Sequence, residues 1–206
     1  RAWMERGAEF LLKTAAGPGK WNYPSPRHGG RFLPPPPDLS NSQYAVLGLL
    51  AAHRCGVPIE DGAWLGILRA FLQAQERDGP AVPGWFPSAR QQREADAGGT
   101  VPTAPAVRAR GFPYRSGEPP SGSMTCAGIA SVAIARDVLR GAGGRGLSPD
   151  LAASADRALA DGFGWLHSRW SVDQAPHGSG RPAHWLHYHL YALERAWPRA
   201  QVACRV

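Results

Sequence analysis

The sequence predicts an all-α fold built from helical hairpins, in which a helix apolar on all faces alternates with a one-sided helix. Such pairs are the repeat unit of a double-ring helical barrel. Three observations predict it. Residues 41–54 (NSQYAVLGLLAAHR) carry Tyr44, Val46, Leu47, Leu49 and Leu50 over nearly every face, as suits a helix walled in on all sides. Residues 60–77 place Trp64, Leu68, Phe71, Leu72 and Gln75 on one stripe, with Arg69, Gln73, Glu76 and Arg77 mostly opposite, so this helix is expected to cover the first. The alternation then recurs, with apolar-type helices opening near Asn41, Met124 and Ala183 and amphipathic ones between them.

Taken in order, residues 2–16 read as an amphipathic helix with Trp3, Phe10, Leu11 and Ala15 inward, stopped by Gly17-Pro18-Gly19. Trp21-Asn22-Tyr23 follows, then a connector whose four prolines, Pro34 to Pro37, favour an extended strut. Ser40 and Gln43 have the spacing of a capping box, Asp38 adds negative charge near the helix start, and Gly56 with Pro58 closes the helix. Residues 78–122 read as a long Pro-, Gly- and Arg-rich loop insertion. Within it Gly111-Phe112-Pro113-Tyr114 echoes Trp21-Asn22-Tyr23 and is expected to be ordered, whereas residues 88–105 are expected to be less so.

Ser121-Gly122-Ser123 caps the second apolar helix, where Ala127, Gly128, Ala130, Ser131 and Ala133 admit close neighbours. Ser148 or Asp150, with Pro149, starts the next helix, which runs to about Trp170 with Leu151, Ala155, Leu159, Phe163, Leu166 and Trp170 inward and Gly162 and Gly164 as bending points. After a loop at residues 171–182, HWLHYHLYALERAW is the third apolar helix, ending at Pro198, and the last eight residues have no assignment.

Composition bounds the function. At 206 residues and 43% hydrophobic the chain fits one domain spanning 1–206. Its nearly uncharged apolar run at residues 44–52 is far short of the roughly 20 residues that cross a bilayer. The net charge of +7 comes from scattered arginines, with Lys13 and Lys20 the only lysines and no basic cluster interleaved with aromatics, so nucleic acid is not an expected partner. Cys55, Cys126 and Cys204 cannot close a disulfide framework, and Cys55 and Cys126 fall on helices read as buried. The chain opens inside a predicted helix without an initiator Met or a targeting signal, so it is expected to be a piece of a longer protein whose compartment the sequence does not indicate.

Arg6-Gly7-x-x-Phe10-Leu11 followed by Gly19-x-Trp21 resembles the Gln-Trp repeat of squalene and other triterpene cyclases, with Ala15 where that repeat has its Gln. Phe71-Leu72-x-x-Gln75-x-x-Asp78-Gly79 with Trp85 resembles a second, stretched copy. DLSNSQYAVLGLLAA, GSMTCAGIASVAIARD and HYHLYALERA are similar to segments of bacterial prenyltransferase/squalene-oxidase-repeat proteins, over most of the chain. The resemblance implies an α/α toroid, here an incomplete arc of a six-hairpin barrel, as in terpenoid cyclases, protein prenyltransferase β subunits and complement thioester domains. It also implies inner helices lining a cavity and Gln-Trp loops tying the outer ring together.

The chemistry of those families is largely missing. No D-x-D-D acid cluster, D-D-x-x-D magnesium motif or Gly-Cys-Gly-Glu-Gln thioester string occurs; Asp156 and Asp161 lie five apart on an outer helix. The resemblance to protein prenyltransferases implies zinc on Cys126 and His189, which match two of three ligands, but Met124 stands where the Asp belongs; a packed cysteine and an ordinary helix histidine are the simpler readings, and no cofactor is expected. His184 and His187 share a helix face and read as a partly solvated helix start. Arg136-Asp137 and Glu194-Arg195 read as solvated helix ends.

Cavity candidates are Asn41, Gln43, Tyr44, Thr125, Cys126, Trp185 and Tyr188, with Tyr191 and Ser123 beside them: aromatics suited to an apolar or sugar ligand, and polar groups at helix starts where capping is the first duty. The expected function is a binding or scaffold module without recognisable catalytic motif, its partner an apolar small molecule or another protein. A divergent isoprenoid cyclase or prenyltransferase with its catalytic residues elsewhere is the alternative, and a glycan-active helical toroid the third reading.

Overall fold

The computed structural model describes residues 1–23, 35–83, 106–141, 146–171, 173–179 and 185–203. It is mostly helical: α1 (Ala2–Lys13), α2 (Leu39–Arg54), α3 (Asp61–Ala74), α4 (Gly122–Gly141), α5 (Pro149–Ser168) and α6 (Leu186–Ala203), with a short antiparallel ribbon of β1 (Ala81–Pro83) and β2 (Ala106–Arg108). The expectations for residues 88–105, Trp85, His184 and Cys204 lie outside the described residues.

Helix α4 is the centre of the core. Every residue from Gly122 to Arg136 is buried, because α2, α3, α5 and α6 all pack on it. Small side chains permit this crowding; a Cβ on Gly128 would enter the Phe112 ring, and one on Gly162 would lie 2.9 Å from Ile129 Cγ1. By length and composition α4 could cross a bilayer, but nearly all of it is covered by neighbouring helices, as in the core helix of a folded domain. Helix α3 packs chiefly on α4 and not, as expected, over α2.

Two segments repeat one hydrogen-bonding scheme, and they are the two the aromatic echo picks out. Trp21 donates its backbone N–H to Ser42 Oγ (3.0 Å) and accepts from the Asp38 N–H (3.1 Å). Phe112 donates to Thr125 Oγ1 (3.1 Å) and accepts from the Ser121 N–H (3.2 Å). Asp38 and Ser121 precede the first residues of α2 and α4, and the two hydroxyls sit four residues further on. Each buried aromatic thus uses its backbone to lock a loop onto the first turn of the next helix, satisfying groups that a helix start leaves open.

The loops also tie α1, α3 and α5 together. Trp21 Nε1 donates to Leu11 O at the end of α1 (2.7 Å). Gly19, at φ +70°, lies so close to α3 that a Cβ there would be 2.5 Å from Ile67 Cα, a position only glycine fills. Gln75, expected on the inward stripe, is buried just past α3 and its Nε2 donates to Arg110 O (3.0 Å) and Ala158 O of α5 (2.9 Å).

Several expectations are corrected. Leu11 in α1 and Ala15 just beyond it do face the core, with Met4 and Ala8, but Trp3 and Phe10 are 81% and 65% exposed. The bond from Trp21 fixes the turn bearing Leu11, whose Cδ1 fits against Gly48, and that orientation points Trp3 and Phe10 outward. Helix α2 is not enclosed on all sides, since Tyr44, Ala51, His53 and Arg54 are exposed. Its cap is not the Ser40/Gln43 box: Asp38 accepts from the Asn41 N–H (2.9 Å) and from Asn41 Nδ2 (2.9 Å). Ser121 and Ser148 do cap α4 and α5, through Met124 N and Leu151 N.

Helix α5 stops at Ser168 and leaves Trp170 half exposed, whereas Trp165 is buried. Helix α6 continues through Pro198, and His187, Leu190, Glu194 and Arg195 on it are exposed. Cys55 is exposed. Arg136 is not a solvated end: it is buried, with its guanidinium on Asp137 (2.8 Å) and Asp156 (2.6 Å). Asp161 is likewise buried, accepting from Arg110 Nε (2.7 Å) and the Arg108 N–H (2.8 Å) to hold the ribbon on α5.

Candidate ligand-binding site at the converging helix ends

The N-terminal turns of α2 and α6 meet beside that of α4. Tyr188, in the first turn of α6, reaches α2 and lies 3.0 Å from Ser40 Oγ while donating to Gln43 Oε1 (3.2 Å). Because the Tyr188 proton goes to Gln43, the Ser40 hydroxyl is the donor to Tyr188. The result is a one-directional relay, Ser40 to Tyr188 to the Gln43 carbonyl. It ends on an amide whose Nε2 is buried and has no partner. Gln43 as a whole is 0% exposed.

Aromatic rings gather around Tyr188. Tyr44, about half exposed, stacks on Tyr188 with ring centroids 6.5 Å apart and planes 28° apart. Burial pushes the Tyr188 phenol up to about 12, the neighbouring Tyr44 and Tyr23 phenols adding to the rise and the Ser40 bond opposing it. Tyr114, whose carbonyl accepts from Leu39 N (3.1 Å), is also pushed up to about 12, first by burial and then by the Asp38 carboxylate. Both phenols therefore keep their protons at neutral pH and act as neutral hydrogen-bonding groups. Trp185, three residues before Tyr188, is 69% exposed at the same end.

Of the sequence candidates, Gln43, Tyr44 and Tyr188 come into contact, Trp185 stands next to them along the chain, and Asn41 is occupied with the Asp38 cap. Thr125 and Cys126 do not join them. The Thr125 hydroxyl is taken by Phe112, and Cys126 is wholly buried, its thiol pushed up to about 12 by that burial, as for a cysteine packed in the core. His189 is buried against Gly122, where a Cβ would lie 2.7 Å from its Nδ1; that nitrogen has no partner, and burial holds the ring below its usual pKa. Among the described residues no three His, Cys, Asp or Glu side chains gather as a metal-ligand set.

The sequence reading passed over Ser40 as a site residue by making it a cap. It also missed Tyr23 and Tyr114, although their matched positions after Trp21 and Phe112 were the available signal.

Fold and site together define a mostly helical domain in which a buried amide is bonded to a tyrosine where two helix starts meet. Comparison with known protein families, with curated proteins and with solved structures finds no match.

Proposed function

We propose that this chain is a squalene-cyclase/prenyltransferase-like repeat domain that works as a binding module, and that it takes its ligand where α2 and α6 converge. The fold part of the reading is supported by the duplicated aromatic-to-helix wiring and by the alternation of α2, α4 and α6 with α1, α3 and α5, which suits an arc of an α/α toroid with the even-numbered helices inside. The binding part rests on one observation: the Gln43 amide, buried and with its nitrogen unpaired, is bonded to Tyr188, on which the half-exposed Tyr44 ring stacks. A buried polar group without a partner costs about 1–3 kcal/mol, and a ligand that brings an acceptor to the Gln43 nitrogen would relieve that cost.

The reading is tested by thermal shift of the purified chain against prenyl alcohols and neutral oligosaccharides, in parallel with Tyr188→Ala. It expects at least one of these to stabilise the wild-type protein and to lose that effect in the variant. Stabilisation by none of them, or equal stabilisation of both proteins, contradicts it.

A further inference from the structure

Resting on that reading, the chemistry of the site narrows the ligand. Gln43 Nε2 has two N–H groups to donate and nothing to receive them, and the relay from Ser40 through Tyr188 polarises the amide in the donating direction. An apolar ligand brings nothing to pair this nitrogen, whereas a ligand with an acceptor oxygen satisfies it.

That acceptor need not be charged. Among the described residues Ser40, Gln43 and Tyr188 bond to one another and Tyr44 stacks on Tyr188, with no Lys or Arg in these contacts, and the Arg115 guanidinium stays over the Tyr114 ring at 5.1 Å. Asp38 is engaged by the cap of α2. The remaining recognition surface is aromatic and partly wet: Tyr44, Tyr188 and the exposed Trp185. Flat rings with polar tips accept the C–H face of a sugar while its hydroxyls bond to amides and phenols.

We propose that the site binds a neutral saccharide. One of its oxygens takes up the Gln43 amide once the half-exposed Tyr44 ring turns aside, and its ring faces lie on Tyr44 and Trp185.

Isothermal titration with linear hexasaccharides of glucose, xylose and N-acetylglucosamine tests this, with farnesol as the apolar comparison. At least one hexasaccharide should bind, and Gln43→Leu and Tyr44→Ala should each weaken it by about ten-fold or more, the scale of one lost hydrogen bond in a desolvated site. Trp185→Ala, at a position too exposed to matter for folding, should weaken it as well and serves if either buried-site variant fails to fold. No hexasaccharide binding, or binding that survives all the folded variants, overturns the proposal. Farnesol bound in a Tyr44-dependent way, without any hexasaccharide, overturns the saccharide assignment while leaving the binding-module reading in place. Absence of binding by either class overturns both.

Discussion

Replacing Gln43 by Leu should stabilise the ligand-free protein. Leucine nearly conserves the buried volume, so no large cavity is left, and it removes a nitrogen that is enclosed without a partner. Relief of that group is worth about 1–3 kcal/mol. Against it stands the lost bond from Tyr188, about 1 kcal/mol for a neutral pair, softened because the Tyr188 hydroxyl can turn its proton to Ser40 Oγ, 3.0 Å away. The net expectation is about 1 kcal/mol of added stability, which for a chain of this size raises Tm by about 2–4 °C. Differential scanning calorimetry, with urea titration to check that the m-value is unchanged, measures it. Gln43→Ala, which leaves a void, should by contrast lower Tm. A fall of about 2 °C or more in Gln43→Leu would refute the reasoning, since it would mean the amide is satisfied in the free protein.

Trp3→Ala should change stability by less than about 0.5 kcal/mol, whereas Leu11→Ala should cost about 2 kcal/mol; the reverse order in urea melts would put the wrong face of α1 inward. Gly128→Ala pushes a methyl group into the Phe112 ring and should cost about 1–3 kcal/mol, with faster hydrogen exchange at the Phe112 amide that bonds Thr125. For His189 the buried ring resists protonation that the unfolded chain accepts, so its contribution is intact above the ordinary histidine pKa and declines as pH falls through about 6.5 toward the lower folded value. His189→Gln should flatten that acid limb in Tm measured between pH 7 and pH 5, and an unchanged profile would count against it.

Helix spans were legible because their signals are local. Ser121, Ser148 and Pro149 mark starts, Gly56 marks an end, and long periodic runs fill the interval. The aromatic echo was legible too, and it turned out to be a shared set of backbone bonds at Trp21 and Phe112. What escaped was decided by partners distant in the chain. Trp3 and Phe10 recur at the same seven-residue interval as Met4 and Leu11, so periodicity alone does not say which pair faces α2; the Trp21 bond to Leu11 does. Arg136 sits in a charged dipeptide that resembles any solvated helix end, until Asp156 comes across from α5 to meet it. Three-residue strands, one of them holding Pro83, are too short to alternate visibly. Ser40 was hidden by a local motif: its spacing from Gln43 reads as a cap, but Asp38 performs that task and leaves both side chains to meet Tyr188 from α6.

The most direct test of the account is an NMR titration observing the Gln43 side-chain amide, assigned by its disappearance in Gln43→Leu, as the hexasaccharide panel and farnesol are added in turn. The account predicts that this resonance pair moves with a saturable dependence on one of the saccharides, together with the backbone amides of Tyr44 and Tyr188, while those of α5 stay in place. A Gln43 resonance that remains still under every addition, or that moves no more than the amides of α5, would contradict it.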